Sequence, residues 1–160
     1  IDEGRWQKAL EEKPNYVFVL WGTNDANADP ARHTDPDSTF REYLKRYIDD
    51  AVAAGAKPVL ITPSAYRGFS SSGVFKDNLA PYAEAMRGVA TEKKVPLIDL
   101  NAANATRYEG LGPDETEKLA AKEGDRTHFN EAGARKIAEL VAGGIPDAVP
   151  ELKSHLAGAK

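Results

Sequence analysis

Two short polar clusters in this chain have the residue types and spacing that acyl transfer requires. The first is Trp21-Gly22-Thr23-Asn24-Asp25, which directly follows an apolar run. A glycine lets the chain turn sharply, and an asparagine just beyond it can aim amide N–H donors at a developing oxyanion. Taken alone, the segment reads more simply as turn chemistry, since Asn and Asp are common turn formers. The second cluster is Asp125-Arg126-Thr127-His128. Acyl transfer through a serine needs an imidazole to take and return a proton, and a carboxylate to hold it in one tautomer. Asp and His three apart can meet that geometry within one turn. An isolated D-x-x-H is again more simply a solvated loop. Together, in this order and about a hundred residues apart, the two clusters are far more specific than either one.

The elements around them must bring the clusters to one place. Tyr16 to Trp21 (YVFVLW), Pro58 to Thr62 (PVLIT) and Pro96 to Leu100 (PLIDL) are continuous apolar runs. Such runs suit strands covered on both faces, as in a parallel sheet. Helical patterns lie around and between them. A short one covers Arg5 to Glu12. A second carries Phe40, Tyr43, Leu44, Tyr47, Ile48 and Ala51, with Thr39 and Glu42 as a capping box and Gly55 past its end. A third carries Leu79, Tyr82, Ala83, Met86, Val89 and Ala90 behind an Asn78 cap. Asn101 to Ala121 predicts one or two helices broken near Gly112-Pro113. A last helix starts at Asn130 and is expected to stop at Gly143-Gly144, leaving residues 146–160 as a surface tail. Tyr43, Tyr47, Tyr82 and Phe40 are expected in the core. This alternation implies βαβ crossovers and a parallel sheet with helices on both faces, in a single domain spanning 1–160. In open sheets of this kind the functional crevice lies beyond the carboxyl ends of the strands, where both polar clusters would fall.

With those blocks in place, the chain resembles the SGNH or GDSL hydrolase family. Two of that family's four blocks match, as Gly22-Thr23-Asn24-Asp25 and Asp125-Arg126-Thr127-His128, and the resemblance runs over nearly all of the chain. IDEGRW, ITPSAYRGF, VPLIDL and THFNEAGARKIAELV look closest to its rhamnogalacturonan acetylesterase-like branch. The resemblance implies a three-layer α/β/α fold with a flavodoxin-like parallel sheet. It also implies ester hydrolysis, with deacetylation of a carbohydrate as the reaction. His128 would be the general base, Asp125 its orienting partner, Asn24 an oxyanion donor and Gly22 the turn that aims it. Thr23, Arg67 and His33 are candidates for touching substrate. The family's serine and its oxyanion glycine have no match, so the N-terminal strands are expected upstream of Ile1 and the isolated chain is expected to be inactive. The apolar first run points the same way, because an uncovered apolar edge strand is an aggregation hazard.

Other features bear on alternatives. Ser64 and the Ser70-Ser71-Ser72 loop lack the small-residue elbow of an exposed nucleophile. Asp25, Asp29, Asp35 and Asp37 miss the spacing of a compact calcium loop and read as turn residues. There is no cysteine, the three histidines are far apart, and no metal or organic cofactor is implied. A net charge of -4 argues against nucleic acid or an anionic membrane as partner. No apolar run approaches the about 18 residues that span a bilayer. The expected partner is a small-molecule or polysaccharide ester. Oligomeric state is not readable, and only the resemblance points to a secreted or periplasmic location. Competing readings are a non-catalytic or decayed module on the same scaffold, a lipase or lysophospholipase-type acyl hydrolase, and a flavodoxin-like nucleotide binder. Against the last, no Gly-rich phosphate loop follows any strand.

Overall fold

A computed structural model describes residues 4–156; Ile1 to Glu3 of the IDEGRW block and the last four residues of the expected tail lie outside the described residues. Three strands form one parallel sheet in the order β1 (Tyr16–Val19), β2 (Lys57–Ile61) and β3 (Leu97–Ile98). Val17 pairs with Pro58 and Val19 with Leu60, while Ile61 pairs with Ile98. β1 and β3 are shorter than their apolar runs, while β2 is as long as its run and starts one residue earlier. Leu20 and Trp21 continue past β1 without pairing and stay exposed, and Phe18 is exposed as well.

Side chains alternate across a strand, so the sheet has two faces to cover. On one face Val19 and Leu60 pack against α2 (Thr39–Ala53) and α3 (Ala80–Lys93), through Phe40, Leu44, Ile48, Tyr82, Met86 and Val89. On the other, Val59, Ile61 and Ile98 meet Ile137, Leu140, Val141 and Ile145 of α5 (Glu131–Ala148). α1 (Arg5–Glu11) is seated by Trp6 and Leu10 against Ala51, and the Trp6 Nε1–H donates to Asp50 at 3.1 Å. The result is the expected three-layer α/β/α arrangement around a parallel sheet. α4 (Leu100–Glu117) is kinked at Gly112, where φ is 73°, ahead of Pro113, in line with the break expected there.

Several local expectations fail for identifiable reasons. The Thr39–Glu42 capping box does not form: Thr39 Oγ1 accepts instead from the Asp35 N–H, and Ser38 takes the N-cap position. At α3 the cap residue is Leu79, and it is Asp77 rather than Asn78 that accepts a backbone N–H there. Tyr43 is exposed and not core. Most notably, Gly143-Gly144 does not end α5. A Cβ at Gly144 would lie 2.7 Å from Ile98 Cγ2, so glycine there lets the helix approach the sheet. The helix runs through Pro146 to Ala148, Val149 is buried, and a 3-10 helix follows at Pro150–His155. Glu151 fastens that helix to the amino ends of β1 and β2. It accepts from the Tyr16 hydroxyl at 2.8 Å and the Lys57 ammonium at 3.0 Å. Its own backbone N–H and those two groups pull its carboxyl down to about 2.

Candidate active site

The Gly22–Asp25 loop leaves the carboxyl end of β1. Gly22 is buried with φ at 114°, and a Cβ there would meet Pro63 Cγ at 2.9 Å and Tyr82 Cβ at 3.3 Å. Only glycine satisfies both the backbone angle and the space. The Asp25 carboxylate closes the loop, accepting from the Gly22 N–H at 3.0 Å and from the Thr34 hydroxyl at 2.9 Å. Two tyrosines brace it from below. Tyr66 donates its hydroxyl to the Thr23 carbonyl at 3.0 Å, and the Tyr82 hydroxyl lies 2.9 Å from the Asp25 carbonyl and 2.7 Å from that of Thr34. Burial pushes both phenols up, which keeps them neutral donors. At the tip, Asn24 is exposed and its side-chain amide makes no hydrogen bond to the described residues. A braced loop thus presents an unengaged donor.

The Asp125–His128 loop precedes α5. One Asp125 oxygen accepts the backbone N–H groups of Thr127 and His128 at 2.9 and 2.8 Å, while the other lies 3.0 Å from His128 Nδ1. One carboxylate therefore shapes the loop and holds the ring. The Asp125 side chain is 11% exposed and the imidazole 77%. Nε2 has no partner among the described residues. The His128 and Thr127 N–H groups hold the Asp125 carboxyl well below the usual carboxylate range, against an opposing effect of burial, and the imidazole adds to the lowering. A depressed folded-state value means that ionised Asp125 stabilises the fold above the ordinary carboxylate range, and that this contribution is lost as pH falls through the depressed value. Asp125→Asn is accordingly expected to lower Tm at neutral pH, with the gap to wild type narrowing below about pH 4. Thermal melts across that range check it; a gap that widens in acid contradicts it.

The loop is rooted in the body. Asn130 caps α5 by accepting from the Gly133 N–H, and its own amide donates to the Lys118 carbonyl at 2.7 Å. Ala120 bridges Phe129, and a Cβ at Gly133 would lie 2.5 Å from the Leu119 carbonyl oxygen. Gly133→Ala is therefore expected to destabilise by about 1–3 kcal/mol through overpacking, outweighing the about 1 kcal/mol that alanine gains over glycine in a helix. An unchanged urea midpoint would sink this.

The remaining candidates separate. Arg67, expected to touch substrate, is 3% exposed and points inward. Its Nη2 donates to the carbonyls of Asp125 and His128, each at 2.6 Å, and its guanidinium lies over the Phe129 ring. Phe69 packs on Phe75. Thr23 is partly buried and contributes its carbonyl to Tyr66. His33 is exposed on the loop beyond Asp25, near enough to Asp35 to help lower that carboxyl, and among the described residues no hydrogen bond ties its ring to the site. Asp29 and Asp35 accept local backbone N–H groups, as turn residues do. Ser64 accepts from the Asn104 amide at 2.7 Å, Ser70 pairs with Ser72, and no serine among the described residues bonds to His128. Tyr66 and Tyr82 are the residues that sequence reasoning missed. For Tyr82 the hint was a phenol on an otherwise apolar helix face, since a buried tyrosine hydroxyl normally finds a partner.

A three-layer α/β/α fold around a parallel sheet, with an Asp–His pair and an exposed asparagine amide on its loops, describes a class, the hydrolases of the SGNH type that work on acyl groups. Over residues 1–136 the chain matches the GDSL-like lipase/acylhydrolase family, and it belongs to that family. It is 36% identical over 170 residues to the rhamnogalacturonan acetylesterase RhgT of Bacillus subtilis (strain 168), covering 98% of this chain and 72% of that protein. It is 39% identical over 153 residues to the probable rhamnogalacturonan acetylesterase YesY of the same strain, covering 92% of this chain and 70% of that one. The crystal structure of Bacillus subtilis YxiM superposes with a TM-score of 0.78 at 28% identity, over 91% of this chain and 41% of YxiM.

Proposed function

We propose that the chain carries the base, its orienting acid and one oxyanion donor of an esterase that removes acetyl groups from a carbohydrate. The observation that carries this reading is the Asp125–His128 pair, with the carboxylate 3.0 Å from Nδ1 and Nε2 left unengaged on an exposed ring. That arrangement favours the tautomer in which Nδ1 holds the proton and Nε2 accepts one.

In the reaction, a serine hydroxyl attacks the acetyl carbonyl and His128 Nε2 takes the hydroxyl proton. The carbonyl π electrons move onto oxygen, where the Asn24 amide donates to them. Collapse breaks the bond to the sugar oxygen, which leaves with the proton from His128. Water then attacks the acetyl-serine and gives a proton to His128; the acyl–Oγ bond breaks, the serine oxygen takes that proton back, and acetate departs. Asp125 stays ionised throughout and stabilises the imidazolium. The serine that family resemblance implies is not among the described site residues, so activity is tested on the full-length protein.

The carbohydrate half of the reading is supported by the two relatives named as rhamnogalacturonan acetylesterases. No described helix is long and apolar enough to cross a membrane. The expected result is acetate release from acetylated rhamnogalacturonan oligosaccharides, with little turnover of long-chain acyl esters. Preference for a long-chain ester would replace the carbohydrate substrate with a lipid.

A further inference from the structure

Tyr66 and Arg67 are neighbours in the segment after β2, and each reaches a different half of the site. Tyr66 holds the Thr23 carbonyl, one residue before Asn24. Arg67 holds the carbonyls of Asp125 and His128 through one nitrogen, and its backbone N–H donates to the Arg126 carbonyl at 3.0 Å. Adjacent Cα atoms across a trans peptide are about 3.8 Å apart whatever else moves. We propose that the Tyr66–Arg67 dipeptide is a yoke of positioning residues, which fixes the separation between the oxyanion donor Asn24 and the base His128.

The burial of Arg67 supports this over a purely structural role. No carboxylate among the described residues pairs with it, and its Nε and Nη1 are buried without hydrogen-bond partners. The face of the Phe129 ring, 4.5 Å from the guanidinium carbon, offers partial compensation. Burying a cation in this way is unfavourable unless something is gained. What it contributes is a single nitrogen, Nη2, that reaches the carbonyls of both members of the Asp125–His128 pair. A lysine ammonium, a compact and strongly hydrated point charge, has no flat face to lay on Phe129 and is a poor substitute in this buried place. Tyr66 is simpler, a half-buried phenol spending its one proton on one carbonyl.

The inference rests on the roles assigned to Asn24 and His128, and its test separates the two. In the full-length protein, Arg67→Lys and Tyr66→Phe are expected each to lower kcat for an acetyl ester by about 10–100-fold with KM within about threefold, since misplacement by an ångström commonly has effects of that size. The double variant should lose little more than the worse single one, because a site already out of register gains nothing from holding one half correctly. Arg67→Lys should also broaden or remove the downfield His128 Nδ1 proton resonance, and Tyr66→Phe should leave it in place. That resonance needs no turnover, so it reports on the yoke even if the wild-type protein releases no acetate and the functional reading fails. Multiplicative kcat losses in the double variant, or an unchanged Nδ1 resonance in Arg67→Lys, overturn the yoke. Tyr66→Phe removes a single hydroxyl, and its kcat and KM stand as the test should Arg67→Lys fold poorly; unchanged kcat there overturns it as well.

Discussion

Replacing His128 with alanine in the full-length protein is expected to lower kcat for an acetyl ester by about 10⁴–10⁶-fold while leaving Tm close to wild type. The size follows from the number of steps the imidazole serves. In the proposed reaction it accepts the serine proton, gives it to the sugar oxygen, and repeats both transfers during deacylation. Removing such a base commonly has effects of that order, with the residual rate coming from binding and the oxyanion donors. The small effect on Tm follows from exposure: the ring is 77% exposed and, among the described residues, bonds only to Asp125. The Asp125 carboxylate would keep its bonds to the backbone N–H groups of Thr127 and the residue at 128, so the loop holds its shape. Steady-state kinetics with a melting curve on the same sample decide the matter. Activity within tenfold of wild type would remove His128 from the chemistry.

Asn24→Ala is expected to lower kcat by about 10²–10³-fold with a small change in KM. A donor aimed at the oxyanion acts on charge that exists only in the transition state, so its loss appears in kcat and hardly in substrate binding. The fold should not notice. The Asn24 amide makes no hydrogen bond to the described residues, whereas its neighbours are held through Gly22, Asp25, Tyr66 and Tyr82. A large rise in KM with kcat preserved would make Asn24 a substrate-binding residue instead. These two variants also discriminate the readings raised by sequence: a non-catalytic module would give no turnover in the wild-type protein, and neither substitution would then matter.

Much of this molecule is legible in its amino-acid order. The strands announce themselves because a strand covered on both faces must be apolar at nearly every position, and β2 with Val59, Leu60 and Ile61 shows that pattern. The kink at Gly112-Pro113 and the Asn130 cap are readable because both depend on neighbours within one turn. The Asp125–His128 contact is readable for the same reason: three residues separate the partners, and the turn that joins them is built by Asp125 itself.

What the linear order could not decide is every feature whose partner lies in another segment. Arg67 bonds to carbonyls 58 and 61 residues away, so nothing in TPSAYRGF distinguishes an outward cation from one buried beneath the Asp125–His128 loop. Gly144 reads as a helix stop, yet it is the point where α5 meets β3, because glycine has the same letter whether it ends a helix or lets one pack closely. Local chemistry along the chain thus determined which groups can react and which element carries each. Only the packing of the sheet and its helices decided which groups hold them in place, since hydrogen bonds between distant segments exist only where the strands deliver their ends to the same edge.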